Sequence, residues 1–174
     1  MDLNKKRVFI LIFITAVLIN LTACSYSFNG ASVPSHIKSI SVPVLQDKSG
    51  SGEFDLGNNL TTLLVQKFID DNSLRVSDRL TSDSILEGSI IGLTDATAVV
   101  SGGEAVTTRR ITITVHAVYK DMVKKQTVFE TNFSNYADYP TTGSLDITTS
   151  RKTAITKALN LISEDIVLGV VSNW

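Results

Sequence analysis

The sequence is poor in the residues that form covalent or metal-based sites. In 174 residues it has one cysteine, Cys24, and two histidines, His36 and His116. A single cysteine has no partner for an intrachain disulfide. The two histidines lie far apart in the sequence, and neither belongs to a metal-ligand spacing or lies beside a candidate nucleophile. We therefore predict no disulfide framework, no metal site and no cofactor.

Catalytic motifs are also missing from the sequence. It has no Gly-x-Ser-x-Gly elbow, no Cys-x-x-Cys pair, no P-loop and no His-Glu-x-x-His pair. Neither a Lys-Ser pair nor a predicted helix follows Gly102-Gly103, so a hairpin turn is favoured over a phosphate-binding loop. The acidic pairs 70–71 and 164–165 are adjacent on predicted helices, where neighbouring side chains diverge by about 100° and do not converge on a site. The sequence therefore does not predict an enzyme.

The chain has no long run of one charge sign. It carries 16 Lys plus Arg and 17 Asp plus Glu. Three of the basic residues and one acidic residue precede position 24, so the remaining 151 residues have a net charge of −3. Nucleic-acid-binding domains usually present a basic face, and no such pattern is present. We therefore predict no nucleic-acid partner, and a single domain with enough chain for a core.

The first 24 residues follow the pattern of a bacterial export signal. Lys5, Lys6 and Arg7 precede the apolar run 8–19, and small residues follow it. The ending Leu-Thr-Ala-Cys at 21–24 resembles a lipobox, in which the peptide is cut before the cysteine and the cysteine is acylated. Two alternatives are an uncleaved membrane anchor, although this run is short of the ~20 residues that a span needs, and a secreted protein with a free thiol.

The lipobox divides the chain into three parts. Residues 1–23 are predicted to be a signal peptide, 24–35 a lipidated tether and 36–174 the folded domain. Each acyl methylene buried in a bilayer contributes ~0.8 kcal/mol, so three acyl chains would hold the protein permanently at a membrane. The function is therefore expected within a tether's length of a bilayer.

Alternating polar and apolar residues predict the strands. The clearest alternation runs from Arg109 to Lys120, with an apolar face and a polar face. Other predicted strands are 36–44, 85–93 and 126–139, and 73–77 is a short strand candidate. Turns or loops are predicted at 46–52, 94–108 and 121–125. Strands of about 10 to 14 residues exceed the usual five or six, which predicts an elongated sheet. The apolar face of the 109–120 strand consists of Ile111, Ile113, Val115, Ala117 and Tyr119.

Two segments have helical spacing. One begins after Glu53 and ends near Asn72, and the other includes Ile155 and Val170. The order strand, helix, strands, helix favours an α+β domain, with both helices packed on one face of an elongated, mainly antiparallel four-stranded sheet. The opposite face would carry threonines and charges, and on the 109–120 strand we predict that its residues Thr112, Thr114 and His116 face a partner or solvent.

The mature sequence resembles the LptE family of lipopolysaccharide-assembly lipoproteins. The resemblance rests on the order and spacing of four segments: Cys-Ser-Tyr-Ser-Phe at 24–28 with Gly30, Ile-Lys-Ser-Ile-Ser-Val-Pro-Val at 37–44, Leu-Gly-Asn-Asn-Leu at 56–60, and Ser-Asp-Ser-Ile-Leu-Glu-Gly-Ser-Ile at 82–90. It implies an outer-membrane lipoprotein that plugs the lumen of the LptD β-barrel and helps deliver lipopolysaccharide to the cell surface. A free-standing periplasmic domain, and a lipoprotein scaffold or secretion-channel accessory without a lipopolysaccharide role, are the alternatives.

Lipopolysaccharide carries phosphates and carboxylates, which cationic side chains bind by charge-assisted hydrogen bonds. Basic residues cluster at the two ends of the predicted 109–139 hairpin. We predict Arg109, Arg110, Lys124 and Lys125 as lipopolysaccharide ligands. The alternative is that they are ordinary solvated turn residues.

Overall fold

The computed structural model describes residues 33–98, 108–141 and 146–172. Six strands and two helices lie in these ranges. In chain order they are β1 (Ser39–Ser41), β2 (Gln46–Asp47), α1 (Leu56–Asp71), β3 (Arg75–Val76), β4 (Ser84–Thr97), β5 (Thr108–Asp121), β6 (Gln126–Pro140) and α2 (Ile147–Ser172). Residues 1–32, and with them Cys24, lie outside the described residues, as do Gly102 and Gly103.

All six strands belong to one sheet. Its order is β3-β1-β4-β5-β6, and β2 also pairs with β4. Strands β4, β5 and β6 pair antiparallel, whereas β1 pairs parallel with both β3 and β4, and β2 pairs parallel with β4. The α+β class and the two helices are confirmed, but the prediction of a mainly antiparallel four-stranded sheet is wrong. Strands of two or three residues are too short to show a periodicity, and periodicity does not specify strand direction.

The three long strands make the sheet elongated, as predicted. Strands β4 and β5 have 14 residues each and β6 has 15. At about 3.3 Å per residue, β5 is about 45 Å long. The β5–β6 turn at 122–125 therefore lies at the opposite end of the sheet from the start of β5.

The predicted apolar face of β5 packs into the core beneath the helices. Ile111, Ile113, Val115 and Tyr119 have no exposed surface, while the residues between them are half-buried. The predicted apolar residues of both helices join these side chains in one core cluster, so both helices cover the same face of the sheet. Among the helix residues in this cluster are Leu60, Leu64, Phe68, Leu159, Ile162 and Ile166.

The first predicted strand, 36–44, is largely wrong. Only Ser39–Ser41 is a strand, and Val44, which an unbroken alternation would place on the same face as the buried Ile40, is 64% exposed. Leu45 enters the core instead, and its N–H donates to Thr61 Oγ1 over 2.9 Å. The chain approaches α1 so closely here that a Cβ at position 57 would lie 2.1 Å from the Leu45 carbonyl oxygen, so only glycine fits at Gly57.

Strand β4 is longer than predicted. It continues past Leu93 to Thr97, and its pairing with β5 shifts between Ile90 and Gly92. Such an irregularity interrupts the two-residue alternation, which explains why the sequence pattern ends early. As a result, Asp95 pairs with Ile111, a residue of the core-facing side of β5.

Candidate functional site

The chemistry available in the described residues is limited to polar and charged side chains on the surface. No group of three or more potential metal ligands comes together in ranges 33–98, 108–141 and 146–172. Of the helices in these ranges, neither combines the length and apolar character needed to cross a bilayer. The candidate surfaces are therefore the uncovered face of the sheet, the two ends of the long hairpin and a groove between the helices.

The uncovered face of β5 and β6, which we call the outer face, is a ladder of paired polar side chains. Thr112, Thr114 and His116 lie on it and are half-buried, as the alternation predicts. The hydroxyls of Thr114 and Ser134 lie 3.2 Å apart across the two strands. His116 contacts β6 twice, with Nδ1 2.9 Å from the Asn132 side-chain oxygen and Nε2 3.2 Å from a Glu130 carboxylate oxygen.

Arg110 extends the outer face toward the start of β5. Its guanidinium donates to both carboxylate oxygens of Asp138, over 2.6 and 2.9 Å, and lies 3.8 Å from the centre of the Tyr136 ring. The hydrogen bond from Arg110 lowers the pKa of Asp138. Arg110 and Arg109 point to opposite faces of the sheet, as expected for adjacent strand residues.

Arg109 joins an ionic cluster on the helix side of the sheet. The Arg109 Nε donates to Asp95 Oδ1 over 2.8 Å, and the Arg109 Nη2 donates to the Asp95 backbone carbonyl over 2.9 Å. The same carboxylate accepts from Arg151 Nε and from the Tyr139 hydroxyl, each over 2.8 Å. Burial raises the pKa of Asp95, but the hydrogen bonds that it accepts outweigh this effect and lower its pKa overall.

Asp95 and Arg151 join strands β4, β5 and β6 to helix α2, and no sequence motif indicated either residue. Arg151 also pairs with Glu53, which precedes α1. The two-residue alternation of β4 does not predict that Asp95 faces the helices, because the pairing of β4 with β5 shifts between Ile90 and Gly92. A charged residue on a core-facing strand position needs an opposite charge nearby, but the partners Arg109 and Arg151 are 14 and 56 residues away in the sequence.

Lys124 and Lys125 lie in the β5–β6 turn and are exposed. Lys125 has a φ of 55°, in the left-handed region. The amides of Val123 and Lys124 donate to Asp121 Oδ1, which shapes the turn. Within the described residues, neither lysine ammonium has an ion-pair partner at salt-bridge distance. The four predicted basic residues thus occupy opposite ends of the sheet and do not form one site.

A groove of about 670 Å³ lies between the first turns of α1 and α2. Leu56, Ile155 and Leu159 contribute apolar surface to it, and Arg151 and Lys152 contribute basic groups. It lies near the Asp95 cluster, because Arg151 belongs to both. No sequence pattern indicated this groove, since its lining comes from two helices about 100 residues apart.

Comparisons with known proteins give a family match over most of the chain. The model of the family described as "LptE: Lipopolysaccharide-assembly" matches residues 37–168. No curated protein sequence matches the chain.

Solved structures share the fold at low sequence identity. Protein XCC0632 from Xanthomonas campestris superposes with a TM-score of 0.62 at 17% identity, over 83% of this chain and 89% of that one. The hypothetical protein CT253 from Chlamydia trachomatis gives a TM-score of 0.53 at 8% identity, over 77% and 93% of the two chains. A minor lipoprotein from Acinetobacter baumannii gives 0.50 at 12% identity, over 77% and 92%. At these identities the likeness establishes the fold alone.

Proposed function

The chain belongs to the LptE family of lipopolysaccharide-assembly proteins, and we propose that it is the lipid-anchored plug and assembly partner of an LptD outer-membrane barrel. In this role it assists delivery of lipopolysaccharide to the cell surface. The observation that carries the proposal is the family match, which spans residues 37–168 and so includes every strand and most of α2.

The proposed location is the outer membrane, with acylated Cys24 in the periplasmic leaflet and the outer face of the domain within the barrel lumen. The lipobox at 21–24 supports the anchor. Only eight residues separate Cys24 from Val33, where the described domain begins. The domain therefore stays close to the membrane in which the barrel lies.

The outer face supports the plug role. The interior of a large outer-membrane barrel is polar. Hydroxyl, amide and imidazole groups line the outer face, and cross-strand contacts such as Thr114 to Ser134 hold them in place. Their partial exposure leaves hydrogen-bonding capacity for polar side chains of the lumen. We assign Thr112, Thr114 and His116 to this contact.

We retain the basic residues as proposed lipopolysaccharide ligands, with different roles at the two ends. Lys124 and Lys125 extend into solvent and can meet a phosphate directly. A phosphate would replace Asp138 as the partner of Arg110. The guanidinium donates two parallel N–H groups to the Asp138 carboxylate and can donate the same two to a phosphate. Arg109 is held by Asp95 and retains partial exposure, with 37% of its side chain accessible.

Pull-down from detergent-solubilised membranes tests the partnership. Full-length protein should co-purify an LptD-type barrel, and a Thr112→Asp, Thr114→Asp double variant should lose it while keeping the wild-type melting temperature. Lys152→Asp, on an exposed helix position far from the outer face, is the matched control. Depletion that leaves surface lipopolysaccharide normal, with no barrel in the pull-down, would contradict the proposal and favour a scaffold.

Binding to purified lipopolysaccharide tests the basic residues. Lys124→Gln with Lys125→Gln, and separately Arg110→Gln, should weaken binding at low salt, where screening is least. Glutamate at position 109 is a poor test because it would place a second carboxylate beside Asp95 and lower stability. Unchanged binding by both variants would remove these residues as ligands without affecting the barrel partnership.

A further inference from the structure

Three segments meet at one end of the sheet, which we call the anchor-side end. They are the start of the described chain at 33–38, the loop 78–83 and the β5–β6 turn at 122–125. His36 Nε2 lies 2.8 Å from Asp121 Oδ2, which joins the first segment to the end of β5. The Met122 N–H donates to the Asp83 carbonyl over 2.8 Å, which joins the turn to the loop.

Apolar side chains project from the two turns at this end. Leu80 is 98% exposed, Val123 54% and Met122 44%. A single exposed apolar residue is ordinary on a protein surface. Here three of them lie on two turns that the Met122–Asp83 hydrogen bond joins, and we call these three residues the apolar tip.

The nearest carboxylates of this end are directed inward. Asp83 Oδ2 accepts from the Lys38 and Ser39 amides, over 2.9 and 3.1 Å, and from the Ser39 hydroxyl over 2.8 Å. Asp121 is buried and bound by His36 and by two amides of the turn.

The cations of the anchor-side end are directed outward. Lys38, Lys124 and Lys125 are exposed beside the apolar tip. Arg79 is 65% exposed along its side chain and pairs with Glu87, and Asp78 is an exposed acid in the same loop. The tip thus combines apolar side chains with a surrounding excess of basic groups, the combination that binds membrane interfaces.

The length of the tether limits the distance between the anchor-side end and the bilayer. Nine steps along the chain lead from Cys24 to Val33, and an extended residue spans at most ~3.3–3.6 Å, so the tether reaches about 30 Å at most. The sheet is longer than this, since β5 alone is about 45 Å. An acylated Cys24 therefore holds the anchor-side end within about 30 Å of the bilayer, whereas the Arg109 end can lie farther away.

We propose that the anchor-side end is a membrane-contact site, in which Leu80, Met122 and Val123 enter the interfacial region of the bilayer that holds the acyl anchor. The exposed Lys38 lies against the lipid phosphates, and Lys124 and Lys125 stay available as the lipopolysaccharide ligands of the proposed function. The proposal rests on the lipid anchor of the proposed function. It also specifies an orientation, in which the anchor-side end lies at the leaflet and the Asp95 cluster lies at the end of the sheet farther from it.

Depth-dependent quenching tests the orientation. Lipidated full-length protein, whose only cysteine is acylated, is given a single new cysteine by Leu80→Cys or Val123→Cys and labelled with an environment-sensitive fluorophore. The protein is reconstituted in vesicles of phosphatidylethanolamine and phosphatidylglycerol that contain nitroxide-labelled lipid. Phe54→Cys is the matched control, because Phe54 is 91% exposed and follows Glu53, which pairs with Arg151 near the other end.

We expect several-fold stronger quenching at positions 80 and 123 than at position 54. Protein that floats with the vesicles but shows equal quenching at the three positions overturns this proposal and leaves the anchor intact. Protein that does not float lacks the anchor, which overturns both this proposal and the anchoring in the proposed function. Probes at 80 and 123 that are shielded only when an LptD barrel is present would assign the tip to the barrel instead, and would overturn the membrane contact.

Discussion

Replacing Gly57 with alanine tests how α1 is seated on the chain segment before it. Gly57 lies in the first turn of α1, and an added Cβ would lie 2.1 Å from the Leu45 carbonyl oxygen and 3.2 Å from its carbonyl carbon. These are backbone atoms, so they cannot rotate away as a side chain would. The Leu45 N–H is also tied to Thr61 Oγ1, which in turn donates to the Gly57 carbonyl over 2.7 Å. Any shift of Leu45 therefore disrupts a buried hydrogen bond.

The opposing effects of Gly57→Ala can be compared. Alanine favours a helix over glycine by ~1 kcal/mol. Overpacking costs ~1–3 kcal/mol, and an unsatisfied buried donor costs a further ~1–3 kcal/mol. We therefore expect the free energy of unfolding to fall by about 3 kcal/mol, which for a domain of this size lowers the melting temperature by roughly 6–12 °C.

Urea and thermal denaturation followed by circular dichroism measure this change. Gly92→Ala is the control, because the nearest atom to an added Cβ is Thr114 Cβ at 4.0 Å. That substitution should be neutral or stabilising by up to ~1 kcal/mol. A Gly57→Ala variant as stable as the wild type would refute the close approach of Leu45 to α1.

Three further predictions follow from the core, the buried acid and the lipobox. Ile113→Asp should cost more than ~4 kcal/mol and unfold the domain, because Ile113 has no exposed surface and the carboxylate would have no partner; Thr112→Asp, one position away on the outer face, should keep a near-wild-type melting temperature. Burial raises the pKa of Asp121, but hydrogen bonds led by that from His36 lower it overall. The stability that Asp121 contributes is therefore complete above its ordinary pKa of 3.8 and is lost as the pH falls through the lowered folded-state value. Asp121→Asn should accordingly be less stable than the wild type at neutral pH, with the difference narrowing in acid denaturation; a difference independent of pH would contradict this role. Mass spectrometry of membrane-extracted protein should find Cys24 acylated at the mature N-terminus, and an unmodified or internal Cys24 would disprove the lipobox assignment.

Much of the fold could be predicted because its long elements repeat one local rule. Strand β5 alternates without interruption, so its pattern alone predicts that Ile111, Ile113 and Val115 are in the core, and the structure confirms this. Leu60, Leu64 and Phe68, which are buried in α1, likewise follow the four-residue spacing of a helix. These patterns are set by the geometry of single elements and by the removal of apolar side chains from water.

The short strands could not be predicted, because they form only through pairing. Strand β2 has two residues and pairs parallel with β4. Leu45 is core and Val44 is exposed because the chain turns toward Gly57, a close approach between segments 12 residues apart. Nothing in a local pattern specifies such a contact.

The sequence by itself determined the α+β class and the outward position of Thr112, Thr114 and His116, since these follow from local periodicity, and it predicts an export signal and a lipobox at Cys24. Only the tertiary structure decided that Arg109 is held by Asp95 while Arg110 faces outward beside Tyr136. It alone also joined the 78–83 loop and the segment around His36 to the β5–β6 turn, at one end of the sheet. The physical reason is that charge pairing and surface patches join residues tens of positions apart, and their proximity depends on how the strands pair.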